Sequence, residues 1–328
     1  MPPNPAVSVI IPAYRITAYI AEAVKSVLQQ TRQDHEILVV NDGCPDTENL
    51  EKALAPYRAR IRYIVQSNGG PGAARNCGLA EAAGRYIALL DGDDRWLPTY
   101  MQEQLGGMER DETIDLLYPN SEVFGGGPLD GTLSRGAEEW RETTTIETLV
   151  EGTSVVNNVA MFKKEIAQRA GGWDPEMRHA EDFDLWLRIA ICGGRILYNP
   201  KLLAGYRIRP GSQTENATSM YGGQIRTCQK ALRDGKPTTR QRELLEWRIA
   251  WATAQQHLTA GKEALAAGDT TAAHTHFQQA FPHAGSNKLR AILAGLSIFP
   301  AGTAALVRYL NKKRETRSSP KKEPLCVD

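Results

Sequence analysis

Residues 85–94, which read RYIALLDGDD, restrict the fold of this chain more than any other stretch of its sequence. The apolar run within it is typical of a strand buried on both faces, and it ends abruptly in three carboxylates and one glycine. Burial fixes such a strand, so its polar end should project from the carboxyl edge of a sheet, where open α/β sheets bind ligands. Acids at one strand tip repel each other, and a divalent cation that prefers oxygen ligands, Mg²⁺ or Mn²⁺, would relieve this repulsion. A solvated acidic turn is the alternative interpretation.

Strands and helices alternate four times in the first ninety residues. The four predicted strands are residues 7–11, 36–40, 61–65 and 85–90. Segments with helical spacing separate them, and this alternation predicts a parallel, doubly wound α/β sheet. The second strand also ends in polar residues, Asn41 and Asp42. Two strands that end in acids at one edge of a sheet indicate a ligand crevice there.

The later part of the chain is less regular. The predicted elements are strands at 114–118, 155–162, 195–198 and 202–208, and helices at 163–169 and 179–189. The second of these helices carries Glu181, Asp182 and Asp184 in its first turn, where the helix macrodipole favours ionised carboxylates. Ordinary helix capping produces the same pattern, so these acids alone fit either a structural or a catalytic role. The polar segment 129–142 has no clear period, and we predict no structure for it.

Length and composition exclude several classes of protein. The 328 residues can form one large domain with an appendage, and a formal net charge of +1 gives no indication of nucleic-acid binding. The five cysteines form no CxxC pair, which argues against a disulfide framework or a zinc site and favours a reducing compartment. The N-terminus lacks the basic region of a signal peptide. We therefore expect a cytoplasmic protein.

Seven short motifs stand in the order found in the family 2 glycosyltransferases, and residues 6–215 resemble that family. The motifs are SVIIPAY at 8–14, VNDG at 40–43, GAARN at 72–76, LDGDD at 90–94, GGWD at 171–174, EDFDL at 181–185 and YR at 206–207. The resemblance implies the GT-A fold, a Rossmann-like and mostly parallel central sheet flanked by helices, here with an α-helical C-terminal extension. It also implies an inverting transfer of a sugar from a nucleotide-diphosphate donor, with a UDP-sugar expected, to a hydroxyl of a glycan or lipid-linked acceptor. Cell-envelope polysaccharide is the expected product.

The resemblance assigns roles to individual residues. Pro12, Ala13 and Tyr14 would lie along the nucleotide base, Asp42 would accept a hydrogen bond from its imide, and Arg75 and Asn76 would border the nucleotide and the sugar. Asp91 and Asp93 would form the DxD pair, with Asp93 as the direct ligand of Mg²⁺ or Mn²⁺ and Asp91 nearer the ribose and the metal. Asp182 would be the catalytic base, and the supporting or acceptor side would comprise Glu181, Asp184, Trp173, Arg207 and Arg209. A cation would neutralise charge on the diphosphate leaving group, and a single base with no second nucleophile implies inversion.

Arg209 departs from the family pattern. The family often carries a metal-binding histidine two residues beyond an arginine, and here Arg209 stands two residues beyond Arg207. Arginine stays protonated and does not ligate metals. Either water completes the metal shell, or Arg209 supplies positive charge and binds phosphate, or it faces solvent.

Two other functions compete with sugar transfer. A metal-dependent nucleotidyltransferase also uses acids at strand ends, but it would release pyrophosphate rather than a nucleoside diphosphate. A non-catalytic scaffold would use the helical tail for binding, and the acids at 91, 93 and 182 argue against it.

The C-terminal third is predicted to be helical, and the sequence suggests domains at 1–220, 221–285 and 286–328. Leu244, Trp247, Trp251 and Leu258 recur at the spacing of a packed helix. The pattern from Gly261 to Ala280 resembles one tetratricopeptide hairpin, which is too little for an independent solenoid. We expect this hairpin to pack on the catalytic domain or on a partner.

Residues 291–307 form an apolar segment at the short limit for a membrane span, and Pro300 interrupts it. The basic residues Lys312, Lys313, Arg314, Arg317, Lys321 and Lys322 follow. This arrangement favours an interfacial helix pair on an anionic membrane, on the inner face of the cell membrane, over a span. A helix docked on the protein, followed by a charged tail, is the alternative.

Overall fold

A computed structural model describes residues 4–133, 143–212, 217–284 and 287–307 of the chain. These residues belong to two compact units. The first comprises Met1–Glu215 and Arg226–Glu246, and the second comprises Asn216–Ile225 and Trp247–Asp328. The domain boundaries at 220 and 285 stay a prediction.

The first unit is built on one nine-stranded sheet. Its strands are β1 (Val7–Ala13), β2 (His35–Asp42), β3 (Arg62–Gln66), β4 (Tyr86–Leu89), β5 (Arg95–Trp96), β6 (Leu116–Phe124), β7 (Thr143–Thr144), β8 (Met161–Lys163) and β9 (Ile196–Arg207). Their order is β3-β2-β1-β4-β8-β6-β9-β5, and β7 pairs with β9. The mixed sheet with flanking helices confirms the predicted fold class.

Helices cover both faces of the sheet. They are α1 (Ile20–Leu28), α2 (Thr47–Leu54), α3 (Pro71–Glu81), α4 (Tyr100–Arg110), α5 (Ile146–Glu151), α6 (Lys164–Arg169) and α7 (Glu181–Ile191), with a 3₁₀ helix at Ala55–Arg60. The longer α8 (Ala217–Asp234) and α9 (Thr239–Ala267) follow. Alternate residues of β1 lie on opposite faces of the sheet: Val9 and Ile11 lie in one apolar core, and Ile10 lies in the other.

The four strands predicted first are parallel neighbours, as expected. In β1, Ile10 pairs with Leu38 of β2 and Leu89 of β4. Because these strands run in one direction, the acidic ends of β2 and β4 lie at the same edge of the sheet. The parallel pairing therefore places the two predicted acidic tips on one side of the molecule.

Two predictions about the other half of the sheet were wrong. The strand predicted at 155–162 is restricted to β8, since the polar side chains of Asn157 and Asn158 bind the backbone of Pro119 and the side chain of Asp91 instead. The two strands predicted at 195–198 and 202–208 are one strand, β9, whose register with β6 shifts around Asn120. This local irregularity allows β6 and β9 to stay paired across residues 199–201, where the sequence pattern predicted a break between two strands.

The second unit contains the end of α9, followed by α10 (Thr270–Ala284), α11 (Asn287–Ile298) and a further helical segment at 300–307. The hairpin predicted between Gly261 and Ala280 is present, and a Cβ at Gly261 would lie 2.6 Å from the ring of Phe277. The predicted interruption near Pro300 is also observed, because α11 ends at Ile298. Within the described ranges, the helices are all too short or too polar to cross a membrane.

The contact between α3 and β1 gives a test of the fold. A Cβ at Gly78 would lie 2.6 Å from Cγ2 of Ile10, a β-branched side chain with little freedom to move. We expect Gly78→Ala to lower the free energy of unfolding by about 1–3 kcal/mol, as overpacked cores do, despite the better helix propensity of alanine. Chemical denaturation measures the change.

Gly127→Ala is the matched control, since a Cβ at Gly127 would meet nothing within 4 Å. Equal stability of the two variants would contradict the close approach of α3 to the sheet.

Candidate functional site

The acidic turn after β4 separates its carboxylates into two environments. Asp94 donates its backbone N–H to the carbonyl of Asp91, at 3.0 Å, and closes the turn. The Asp94 side chain is buried, and its Oδ1 accepts the backbone N–H of Arg207 at 2.8 Å. The side chains of Asp91 and Asp93 are partly exposed, at 28% and 19%. Asp94 therefore holds the end of β9, and Asp91 and Asp93 are the acids available to a ligand.

A buried arginine connects this turn to α7. Arg75, on α3, donates to Oδ1 of Asp91 at 2.7 Å, to Oε1 of Glu181 at 2.8 Å and to Oδ1 of Asp182 at 3.0 Å. Its side chain is only 2% exposed. One guanidinium can join three carboxylates because it presents five N–H donors in a fixed planar arrangement. The predicted base therefore lies beside the acids of the DGDD turn.

The charged groups in this cluster change one another's pKa values. Burial opposes the charge of Arg75, but the carboxylates of Asp182, Asp91 and Glu181 outweigh it and raise the Arg75 pKa above its ordinary value. Burial, with repulsion from Asp182, raises the pKa of Glu181 to about 7. Burial also raises the pKa of Asp182, and the charge of Arg75 opposes that increase. Arg75 therefore favours the ionised form of Asp182, which a general base requires.

The hydrogen bonds of Asp182 orient its carboxylate. Arg75 and the indole Nε1 of Trp173 both donate to Oδ1, the latter at 3.4 Å. Asn158 donates to Oδ2 of Asp91 at 3.2 Å, and its side chain also opposes the increase that burial causes in the pKa of Asp182. The two donors to Oδ1 therefore fix the orientation of the Asp182 carboxylate.

Strain and ion pairs fix the start of α7. Ala180 precedes the helix with φ of +56°, a left-handed conformation that costs free energy in a residue with a Cβ. Asp184 is paired with Arg188 and with Lys230 of α8, whereas Asp182 is paired with Arg75. Lys230 also binds Asp174. Asp184 thus supports the helix and does not contribute to the site directly.

The GGWD loop is held by Asn76. The amide of Asn76 donates to the backbone carbonyl of Trp173 at 2.7 Å and accepts its N–H at 2.8 Å. This pairing uses the polar atoms of Asn76 in a structural contact, which positions Trp173 against Asp182. Contact between Asn76 and the nucleotide or sugar stays a prediction.

Asp42 organises the loop that begins α3. It is buried, and its carboxylate accepts hydrogen bonds from the backbone N–H groups of Gly69 and Gly70, both at 2.8 Å. The side chains of Gln66 and Asn68 also donate to it. Its predicted contact with a nucleotide base stays untested. Among the residues predicted beside that base, Ala13 is buried, Pro12 is half-buried and Tyr14 is 38% exposed.

Two arginines of the β9 end hold the DGDD turn. Arg207 donates through Nε to the backbone carbonyl of Asp93 at 2.7 Å. Arg209 donates through Nε to Oδ2 of Asp93 at 2.6 Å, and only 15% of its side chain is exposed. Burial and the charge of Asp91 raise the pKa of Asp93, and Arg209 opposes that shift. The solvent-facing alternative for Arg209 was therefore wrong.

The acids at this tip fit a cation that shares its ligands with a substrate. Across the residues that the structure describes, no three His, Cys, Asp or Glu side chains are grouped to hold a metal ion. Mg²⁺ is commonly bound by one or two carboxylates, with phosphate and water oxygens completing its shell. Asp91 and Asp93 provide such a partial set of oxygen ligands.

The sequence has a recognisable family domain. Residues 8–170 match the model described as Glycosyl transferase family 2. The chain belongs to glycosyltransferase family 2. This identification favours a sugar transferase over the nucleotidyltransferase and the scaffold.

Curated relatives of this transferase align over part of their length. It is 28% identical over 227 residues to an uncharacterized glycosyltransferase of Rickettsia prowazekii, covering 65% of this chain and 67% of that protein. It is 30% identical over 201 residues to the chondroitin synthase of Pasteurella multocida, covering 60% of this chain and 20% of the synthase. The chain thus spans about two thirds or less of the length of these relatives.

Solved structures share the GT-A fold of this transferase. TarS 1–349 from S. aureus, in complex with UDP, has a TM-score of 0.61 and 18% identity, covering 98% of this chain and 94% of that chain. The mannosyltransferase PcManGT from Pyrobaculum calidifontis, with GDP-Man and Mn²⁺, has a TM-score of 0.58 and 21% identity, covering 98% and 88%.

Sequence reasoning missed two residues of the candidate site. Asn158 contacts Asp91, but it lies inside the strand predicted at 155–162, whose only polar residues are Asn157 and Asn158. Lys230 supports α7 from a helix far along the chain, and no local pattern marks it. Both positions became apparent only through long-range contacts.

The Arg75 cluster predicts a shift in pH dependence. A lysine at position 75 carries its three N–H donors on one compact ammonium and cannot reproduce the planar spread of donors that reaches all three carboxylates, so Asp182 should lose stabilisation of its charged form. Since a general base must be ionised, a higher pKa for the predicted base, Asp182, should move the acid limb of the kcat profile upward by about one pH unit. The pH–rate profile of Arg75→Lys measures this shift.

Arg62→Lys is the control, because Arg62 also joins two carboxylates, Glu36 and Glu81, away from the acidic turn. An acid limb that stays in place in Arg75→Lys would contradict the role of Arg75.

Proposed function

We propose that the protein transfers a sugar from a nucleotide-diphosphate donor to an acceptor hydroxyl with inversion, and that Asp182 is the general base. The observation that supports this most strongly is the pairing of Arg75 with both Asp91 and Asp182. In this pairing, an acid that would lie on the diphosphate side of the donor is beside the carboxylate that would deprotonate the acceptor. No second nucleophile is required, and direct displacement inverts the anomeric carbon.

A UDP-sugar is the proposed donor. TarS has been solved with UDP and with UDP-GlcNAc, and PcManGT with GDP-Man. In this chain the half-exposed ring of Tyr14 and the loop held by Asp42 would border the nucleotide base, as the resemblance implies. Incubation with single nucleotide sugars, followed by identification of the released nucleotide, tests the donor.

Asp91 and Asp93 would hold Mg²⁺ or Mn²⁺ together with the donor. When bound, the cation would neutralise charge that develops on the diphosphate leaving group. The chain itself contributes Arg75, which orients Asp91, and Asn158, which donates to the other oxygen of Asp91. Both contacts hold Asp91 in place before a donor binds.

The proposed acceptor is a hydroxyl of a glycan or lipid-linked glycan in cell-envelope polysaccharide synthesis. Relatives named chondroitin synthase and hyaluronan synthase, both from Pasteurella multocida, support a polysaccharide acceptor. Release of a nucleoside diphosphate, with an inverted anomeric centre in the product, would support the proposal. Release of pyrophosphate would refute it.

The proposed base gives a direct prediction. Asp182→Asn keeps the size of the side chain but cannot accept the hydroxyl proton, so kcat should fall by about 10²–10⁴-fold. Donor binding should be nearly unchanged, since Asp182 acts on the acceptor. Steady-state kinetics and calorimetric titration of UDP measure the two effects.

Asp184→Asn is the matched control on the same helix turn. Asp184 pairs with Arg188 and Lys230, so its loss should lower stability more than the turnover of the folded enzyme. Near-normal turnover in Asp182→Asn would remove Asp182 from the mechanism.

We also propose that the C-terminal helices attach the enzyme to an anionic membrane surface, with the cytoplasmic, inner face as its location. Ile298 and Phe299 are 83% and 68% exposed at the end of α11, and Leu306 is 57% exposed. The basic residues predicted to contact lipid, between Lys312 and Lys322, lie outside the described residues. Exposed apolar side chains beside a basic sequence are typical of interfacial helices.

Vesicle binding tests this attachment. The protein should sediment with phosphatidylglycerol-containing vesicles at low salt and less at high salt, because salt screens the charge contribution. Replacing Ile298 and Phe299 together with serine should weaken binding at least about tenfold, since each buried side chain contributes about 1.5–3 kcal/mol. Val65→Ser, at a residue 60% exposed in the first unit, is the control. The proposal would be refuted if the protein bound neither to phosphatidylglycerol-containing vesicles nor to vesicles of the neutral lipid phosphatidylcholine.

A further inference from the structure

Arg209 forms an ion pair with Asp93, the carboxylate that the proposed cation would bind. Its Nε lies 2.6 Å from Oδ2 of Asp93, and the two side chains are only partly exposed, at 15% and 19%. The guanidinium also lies against the ring of Tyr19, with 5.6 Å between its central carbon and the ring centroid. The ring partly shields the ion pair from water.

A guanidinium and a divalent cation compete for such a carboxylate. Arginine has no lone pair and stays charged, so it cannot join the shell of a metal. A cation bound to Oδ2 of Asp93 would lie within a few ångströms of the Arg209 charge, and the two would repel each other strongly in a partly buried site. Cation binding at Asp93 therefore favours departure of Arg209.

The backbone around Arg209 allows that departure. The last described sheet hydrogen bond of this strand runs from the N–H of Ile208 to the carbonyl of Phe124, one residue before Arg209. Arg209 is followed by Pro210 and by Gly211, whose φ is +77°. The side chain can therefore reorient without breaking the ladder between β6 and β9.

We propose that Arg209 is a resident counter-ion of Asp93 that the cation displaces and that then binds a phosphate oxygen of the donor. The planar guanidinium is well suited to phosphate, and the diphosphate would lie beside the same acids. The cation and the nucleotide should therefore bind cooperatively, because each favours the same position of Arg209. This inference rests on the proposed nucleotide-diphosphate donor.

Direct binding measurements on the full chain test the exchange. Electron paramagnetic resonance follows the loss of free Mn²⁺ signal, with and without UDP, for the wild type and for Arg209→Ala. Without UDP, the variant should bind Mn²⁺ about tenfold more tightly, because Asp93 no longer has a competing partner. In the presence of Mn²⁺, the variant should bind UDP more weakly, and the mutual enhancement of the two ligands should decrease.

Two further variants control the measurement. Arg209→Gln keeps a donor without the charge and should also increase Mn²⁺ affinity, which guards against poor folding of the alanine variant. Arg233→Ala removes an arginine that pairs through Nε with Asp234, at 2.8 Å, on an exposed face of α8. It should leave both affinities unchanged.

Unchanged or weaker Mn²⁺ binding in both Arg209 variants would overturn the counter-ion role. Tighter Mn²⁺ binding with unchanged UDP affinity would overturn the transfer to phosphate. Failure of the donor proposal has a different signature, since UDP would bind neither protein and no nucleoside diphosphate would be released. In that case, the Mn²⁺ affinities of the wild type and the Arg209 variants, measured without UDP, still decide the counter-ion role.

Discussion

The site depends on the buried ion cluster around Arg75. One guanidinium from α3 meets a carboxylate from the turn after β4 and two from the start of α7. A buried charge without partners is strongly unfavourable, so removal of this one side chain would leave three carboxylates to repel each other. The cluster therefore holds three segments, separated by up to 107 residues in sequence, in one arrangement.

The surrounding structure makes this arrangement rigid. The parallel strands direct the acidic ends of β2 and β4 to one edge, and α3 packs closely enough on β1 that Gly78 contacts Ile10. On the other side, Lys230 links Asp174 and Asp184, which anchors the GGWD loop and α7 together. Catalytic groups held in advance need less reorganisation during the reaction, which is how preorganised sites stabilise transition states.

Several site residues could be predicted because their signal is local. Asp91 and Asp93 follow an apolar strand, so their position suggested that they meet a ligand. Asp182 stands in the first turn of an amphipathic helix, where its position fits either a structural or a catalytic role, and the resemblance of the EDFDL motif assigned it the role of base. The roles of Asp94, Asn76 and Asp42 could not be predicted in the same way. Each of these side chains binds backbone groups, in Arg207, Trp173 and the Gly69–Gly70 loop, and such partners have no signature in a motif.

The sequence by itself determined the alternation of strands and helices in the first ninety residues, the parallel half of the sheet and the family, because burial periodicity and short motifs depend on neighbouring residues. Only the tertiary structure decided that Arg75 serves three acids, that Asn158 lies against Asp91 and that Arg209 pairs with Asp93. These contacts depend on side-chain direction and on competition among charges for partners. Both are set when distant segments pack together, and neither is encoded at a fixed spacing along the chain.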